Sequence, residues 1–279
     1  MHETYEDRLR RVVRYIHENP AGDLSLDALA DVAAMSRFHW HRVFLAMTGE
    51  TCAAAVRRIR AYRAAHWLIQ TDDTLDVIAA RSGYDNPRSF SRAFRDVYGV
   101  TPSHFRRGGV PGNLSQPKPP GDTRMYNVST RTQDPLRLAT LTHKGAYYEI
   151  GKVFQQLAAI MSARNLWSQA QNTVGVYYDD PSMTPEADLN SRAGVIVSPE
   201  FEMSSDLEET NLPGGLHAIL VLEGPYTGLQ AAYDYLYGTW LGQSGHEPDD
   251  HPSFEIYLND PTNTAPADLR TEICVPLKS

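Results

Sequence analysis

Arginine recurs in step in two stretches of the chain, HWHRVFLAMTGET (His39–Thr51) and SFSRAFRDVYGVT (Ser89–Thr101). Both carry Arg-x-Phe (Arg42 and Phe44; Arg92 and Phe94), then a glycine (Gly49; Gly99), then a threonine two residues on (Thr51; Thr101). A guanidinium grips phosphate or a guanine edge bidentately, and an ammonium cannot. Residues 1–110 hold 16 arginines and no lysine against 13 acids, a balance of +3. Arginine used alone, and repeated, points to nucleic acid. A second chemistry sits in PSFEIYLNDP, where Glu255 lies between Phe254 and Ile256 and two residues before Tyr257. Strand alternation puts Glu255 and Tyr257 on one face and Phe254 and Ile256 on the other. A carboxylate among Tyr147, Tyr226, Trp167 and Trp240 suits a cationic or polar aromatic ligand. Held between rings, its pKa should tend upward until a cation enters.

Other groups carry less. His39 and His41 are two apart and point away from each other on a helix. HEPDDH (His246–His251) reads as a polar loop, so no metal and no cofactor are expected. Cys52 and Cys274 stand far apart, which is no disulfide framework and fits a reducing cytoplasm. The charged start MHETYEDRLRR lacks a signal-peptide core, and no run approaches the roughly 20 apolar residues of a membrane span. A cytoplasmic protein is the expectation.

The elements that must hold the arginines read as helices. Leu9, Val12, Val13 and Ile16 form a stripe ended by Asn19-Pro20. Ser25 can cap a helix through Ala33, and Ser36 one to about Met47. A long helix from about Cys52 to Gln70 follows, then one from Thr74 to about Ser82. Asn86-Pro87 starts a sixth that stops near Gly99, and Thr101-Pro102 a short seventh. The repeat extends upstream, one residue out of step: Leu26-Asp27 answers Leu75-Asp76, Ala30 answers Ala79, and Ala34 answers Gly83. Helix, tight turn, helix, given twice, is helix-turn-helix grammar. The connector of about 20 residues spans ~30 Å, near the ~34 Å of one DNA turn. One chain could thus place two recognition helices in successive major grooves.

GGVPGNLSQPKPPGD (Gly108–Asp122) has no apolar period and reads as a linker, dividing the chain into 1–107, 108–122 and 123–279. Residues 111–279 hold 10 basic against 21 acidic residues, a balance of −11. Short β-rich runs, RLATLTHKG, NTVGVYYD, AGVIVS, LHAILVLEG, FEIYLND and EICVPL, surround helical stretches at Ile150–Arg164 and Leu229 to about Leu241. The order repeats: HKGAY (His143–Tyr147) matches LEGPY (Leu222–Tyr226), and YYDDPSMTPEADL (Tyr177–Leu189) matches YLNDPTNTAPADL (Tyr257–Leu269). The fold class expected is an all-α double helix-turn-helix domain followed by an α+β domain, with an internally repeated antiparallel sheet, two helices and a cleft between the halves. In that repeat Glu255 aligns with Gly175, so one half alone supplies the acid.

LSLDALADVAAMSRFHWHRVFLAMTGET and DTLDVIAARSGYDNPRSFSRAFRDVYGVTPSHFRR resemble the DNA-binding domain of the AraC/XylS family of transcription regulators, over about residues 5–107. The resemblance implies that Arg37, Phe38, His41 and Arg42 on the first recognition helix, and Pro87, Arg88, Ser91 and Arg92 on the second, face double-stranded DNA. The doubled strand–Gly-x-Tyr–helix unit and PSFEIYLNDP resemble the GyrI-like effector-binding fold, over about 123–278. That implies a small-molecule effector, with Glu255, Tyr147, Tyr226, Trp167, Trp240 and Tyr257 around it. The resemblance also implies two alternatives: some GyrI-like proteins resemble hydrolases that open strained electrophiles using a Glu and a Tyr, here Glu255 with Tyr226 or Tyr147, and other relatives contact a topoisomerase or RNA polymerase. Three readings stand: a non-enzymatic sensor, a hydrolase, and a protein-binding module with RNA polymerase as a candidate partner.

Overall fold

A computed structural model describes residues 3–108, 126–179 and 184–278. Contacts divide the chain into two units, Met1–Pro119 and Pro120–Ser279. The expected linker lies, from residue 109 on, outside the described residues, as does the Asp180-Pro181 pair of the first Asp-Pro loop.

Among its described residues the N-terminal unit holds seven helices: α1 (Tyr5–Glu18), α2 (Leu26–Ala33), α3 (Trp40–Thr48), α4 (Cys52–Gln70), α5 (Leu75–Arg81), α6 (Pro87–Tyr98) and α7 (Pro102–Arg106). The repeated Gly-x-Thr acquires its reason here. Gly49 and Gly99 end α3 and α6 in the left-handed region, at φ 74° and 73°. Thr51 and Thr101 then cap α4 and α7, accepting from the Ala54 and His104 amides. The out-of-step pair Ala34 and Gly83 also matches in conformation, at φ 52° and 75°. Both sit in the turns between the paired helices. At Gly83 an added Cβ would meet Arg60 Nη2 and Pro20 O at 2.6 Å, so only glycine fits. Aromatic side chains cement the second pair: Phe94 stacks on Tyr98 at 4.7 Å and meets Phe105 edge-on at 5.3 Å. Ala61, Ala64, Ala65 and Leu68 of α4 pack against the same cluster.

Among its described residues the C-terminal unit forms one antiparallel sheet of eight strands, in the order β1-β6-β8-β7-β3-β4-β2-β5. The strands are β1 (Val128–Gln133), β2 (Leu136–Lys144), β3 (Ala170–Tyr177), β4 (Asn190–Val197), β5 (Glu208–Leu212), β6 (Gly215–Glu223), β7 (Ser253–Tyr257) and β8 (Arg270–Pro276). Six apolar runs are legible in the sequence; β1 and β5 are the two that are not. Both are the outer edges of the sheet, and their polar sequences, VSTRTQ and EETNL, lack a buried alternation. Helix α8 (Gly151–Ala163) follows β2, and α9 (Leu229–Tyr235) follows β6. The second helical stretch is not uniform. After α9 it passes through a π-helical turn, Leu236–Trp240, before α10 (Leu241–Ser244). Leu157 and Met161 of α8 pack on Ala139, Val195 and Val197. The opposite face of the sheet buries Val174, Val176, Ile219, Phe254 and Ile256.

The two halves, β2-α8-β3-β4 and β6-α9-β7-β8, join where β3 pairs with β7. There Gly175 stands opposite Glu255, and Val174 and Val176 opposite Ile256 and Phe254. Gly175 and Glu255 are also each other's counterpart in the sequence repeat. The pair therefore lies on the pseudo-two-fold axis itself.

Candidate DNA interface and effector site

Helix α6 starts at the expected place. Asn86 accepts from the Ser89 amide at 2.9 Å, and Pro87 occupies the first turn, where no amide is needed. Arg88 and Arg92 are exposed, and Pro87 and Ser91 half-buried. Arg95, also exposed, extends the outward face; its i, i+4, i+7 spacing after Arg88 and Arg92 was the available signal for it. Helix α3 departs from expectation. It begins at Trp40, so Arg37 and Phe38 lie in the preceding turn rather than on a recognition helix. Arg37 remains exposed, its guanidinium 4.8 Å from the Phe38 ring centroid. Arg42 is half-buried. His41 is a correction: it is 3% exposed and turned inward with Trp40, Val43 and Phe44. Its burial, chiefly, holds its pKa well below the ordinary histidine value. The cause is the register of α3, which puts position 41 on the packed side while Ser91, its counterpart, stays half-open.

Glu255 is 3% exposed at the middle of the helix-bearing face. It is no lone carboxylate among apolar rings. Tyr257 donates to its Oε2 at 2.8 Å, Tyr233 of α9 donates to Oε1 at 3.1 Å, and Tyr177 lies 3.3 Å from Oε2. The Tyr177 and Tyr257 hydroxyls are 2.9 Å apart. Burial first, and then the Glu255 charge, push both of these phenols well above the ordinary tyrosine pKa. They remain donors at neutral pH. Gly175 makes this geometry possible: a Cβ there would come within 2.8 Å of the Tyr177 hydroxyl and 3.0 Å of its ring. The missing acid in the first half thus has a steric meaning. Its place is taken by the ring that reaches Glu255. Tyr226, 36% exposed, meets Tyr257 edge-on at 5.5 Å, and Phe154 also meets Tyr257 edge-on, at 5.4 Å.

Residues 126–278 match the family of GyrI-like small molecule binding domains, and residues 29–108 match a helix-turn-helix domain. The chain belongs to the GyrI-like family. Its N-terminal unit is an AraC-type helix-turn-helix domain. The two regions find separate relatives. The Transposon Tn10 TetD protein of Escherichia coli is 34% identical over 37% of this chain and 79% of its own length. The DNA gyrase inhibitor of Yersinia enterocolitica is 27% identical over 46% of this chain and 83% of its own. Both regions together match the transcriptional regulator Rob of Salmonella typhimurium, 23% identical over 91% of this chain and 92% of that protein.

Within this GyrI-like domain the structure brings Glu255, Tyr257 and Tyr226 together, and adds Tyr177 and Tyr233. Tyr177 was legible as the repeat partner of Tyr257; Tyr233 was not, because a tyrosine in an amphipathic helix carries no mark of where its hydroxyl ends. Tyr147 meets Tyr177 edge-on at 5.0 Å, but its hydroxyl serves the neighbouring loop, accepting from the Asp179 amide at 2.8 Å and donating to the Asp179 or Asn190 carbonyl. The two tryptophans make their contacts elsewhere. Trp167, 41% exposed, donates to Ser162 Oγ at 3.0 Å. Trp240, in the π-helical turn, stacks against His246 at 6.1 Å. Aromatic type alone could not tell a lining ring from one used locally.

Among the described residues no helix is long and apolar enough to cross a membrane.

Proposed function

We propose that the chain is a cytoplasmic, sequence-specific transcription regulator whose GyrI-like domain senses a small cationic aromatic molecule through Glu255. Its domains are 1–107 and 123–279, with 108–122 as linker. The observation that carries the effector reading is the buried carboxylate on the pseudo-two-fold axis, ringed by phenols and beside the half-exposed Tyr226. A cation gains from the carboxylate and from the ring faces together. On the DNA side the supporting feature is the in-register arginine of each repeat, Arg92 exposed and Arg42 half-buried, with the 19-residue helix α4 between the two helix-turn-helix units. Titrating the full-length protein with benzyltrimethylammonium by calorimetry tests the sensor reading. Saturable binding that Glu255→Gln weakens is expected; equal affinity of the two proteins would reduce Glu255 to a structural group.

A second reading rests on the same contact. A carboxylate 2.8 Å from a phenol kept protonated by burial is a base beside an acid, which suits hydrolysis of a small electrophile. Turnover of an electrophilic ester that stops in Glu255→Gln would favour it, and binding without turnover the sensor.

A further inference from the structure

A second candidate binding site lies in the N-terminal unit. A cavity of about 400 Å³ opens where α1 ends, beside α4 and the end of α5. Trp67 is among its lining residues, and Arg81 and Arg63 place their guanidinium carbons over the Trp67 ring at 4.4 and 5.2 Å from the centroid. Asp73 already holds Arg81, accepting from Nη1 at 2.7 Å. Arg63 is different: its Nε is buried and has no hydrogen-bond partner. A buried donor of a charged group left without an acceptor is costly. That Nε is closed to a water-sized group, so an oxygen anion in the cavity would offset its charge through the two guanidiniums that line the cavity rather than by bonding to this donor.

We propose that this cavity binds a small monocarboxylate. Arg63 and Arg81, both lining the cavity, take the carboxylate. Glu18, which also lines the cavity, opposes a second negative charge and so selects against phosphate and dicarboxylates. The site also has a mechanical place. Arg63 and Trp67 belong to the connector α4, Arg81 to the second helix-turn-helix, and Glu18 to Gly22 to the end of α1 and the turn leading to the first. Arg60 ties the same joint, donating Nε to the Pro20 carbonyl at 2.7 Å while its guanidinium lies over Tyr84. A carboxylate seated there would fasten the two DNA-reading units at their junction.

The test follows the Trp67 indole N–H resonance of the full-length protein, assigned through Trp67→Phe. Sodium benzoate is titrated at constant ionic strength, with inorganic phosphate as a parallel arm. The expected result is a saturable shift with benzoate and none with phosphate. Arg63→Gln should weaken benzoate by about tenfold or more, the range of a charged hydrogen bond, and Glu18→Gln should let phosphate bind. If circular dichroism shows Arg63→Gln misfolded, Arg81→Gln carries the same comparison. A shift that never saturates, one that persists in the arginine variants, or equal response to both anions would overturn the site.

Discussion

The proposed sensing turns on one side chain, Glu255. Its three phenol neighbours satisfy the carboxylate in the packed domain, so an arriving cation competes with them rather than filling a void. Glu255→Gln should weaken an aromatic cation by about 1.5–3 kcal/mol, the worth of a charged hydrogen bond. Tyr233→Phe should act the other way. Removing the donor at Oε1 frees that oxygen, and the same calorimetry should show tighter binding, by about 0.5–1.5 kcal/mol. Weaker binding in Tyr233→Phe would mean that the hydroxyl contacts the ligand instead. On the DNA side, Arg42→Ala and Arg92→Ala should each cost about 1–3 kcal/mol of specific binding if they read bases. The losses should map to positions about one turn apart; a uniform loss over all sequences would make them phosphate contacts.

Turns and caps govern the elements. Ala34 and Gly83 occupy the same left-handed turn in the two helix-turn-helix units, but under different constraint. Gly83→Ala should destabilise the N-terminal helices by more than about 1–2 kcal/mol, because the conformational strain is joined by collision with Arg60 and Pro20. Ala34→Gly should relieve strain and stabilise them by about 0.5–1 kcal/mol. Urea denaturation followed by helix ellipticity would show both, and a neutral Gly83→Ala would contradict the close approach. In the sheet domain, the π-helical turn after α9 follows directly on the stretch that carries Tyr233. Such turns are rare and concentrate at functional sites. This one sits in the half that supplies the acid, while α8, its counterpart, is regular.

At the scale of the whole molecule, charge and burial set the response to solution conditions. The balance of +3 in residues 1–110 against −11 in 111–279 sets the basic helix-turn-helix region apart from the acidic domain in sequence. DNA affinity should therefore fall with added salt, and each lost phosphate contact should flatten the slope. Three buried histidines, His41 in the first unit and His143 and His217 in the second, have pKa values held below the ordinary 6.5, burial being the first cause in each. They are neutral in the fold, and the unfolded chain takes up their protons first. Stability on their account is complete above pH 6.5 and lost as the pH falls below it. Urea midpoints should drop between pH 7 and pH 5, before carboxylates titrate; a midpoint that held or rose would refute this.

The sequence by itself determined the two domain types, the seven helices and the six inner strands, because each is written in a short-range pattern: apolar period, cap, turn residue. It also determined the internal repeats, and through them the singular place of Glu255, since a repeat records which positions are equivalent. Tertiary structure decided what those patterns do not encode. The register of α3 turned His41 inward and left Arg37 and Phe38 in a turn, although each matches a position in the second repeat. Edge strands β1 and β5 form because a neighbour offers hydrogen bonds, which polar sequences accept without announcing it. Which rings meet Glu255 was also settled in three dimensions: Tyr177 reaches it across Gly175 and Tyr233 from a helix, while Trp167 and Trp240 turn to Ser162 and His246. A side chain's type follows from the sequence, but its partner follows from packing between segments far apart in the chain.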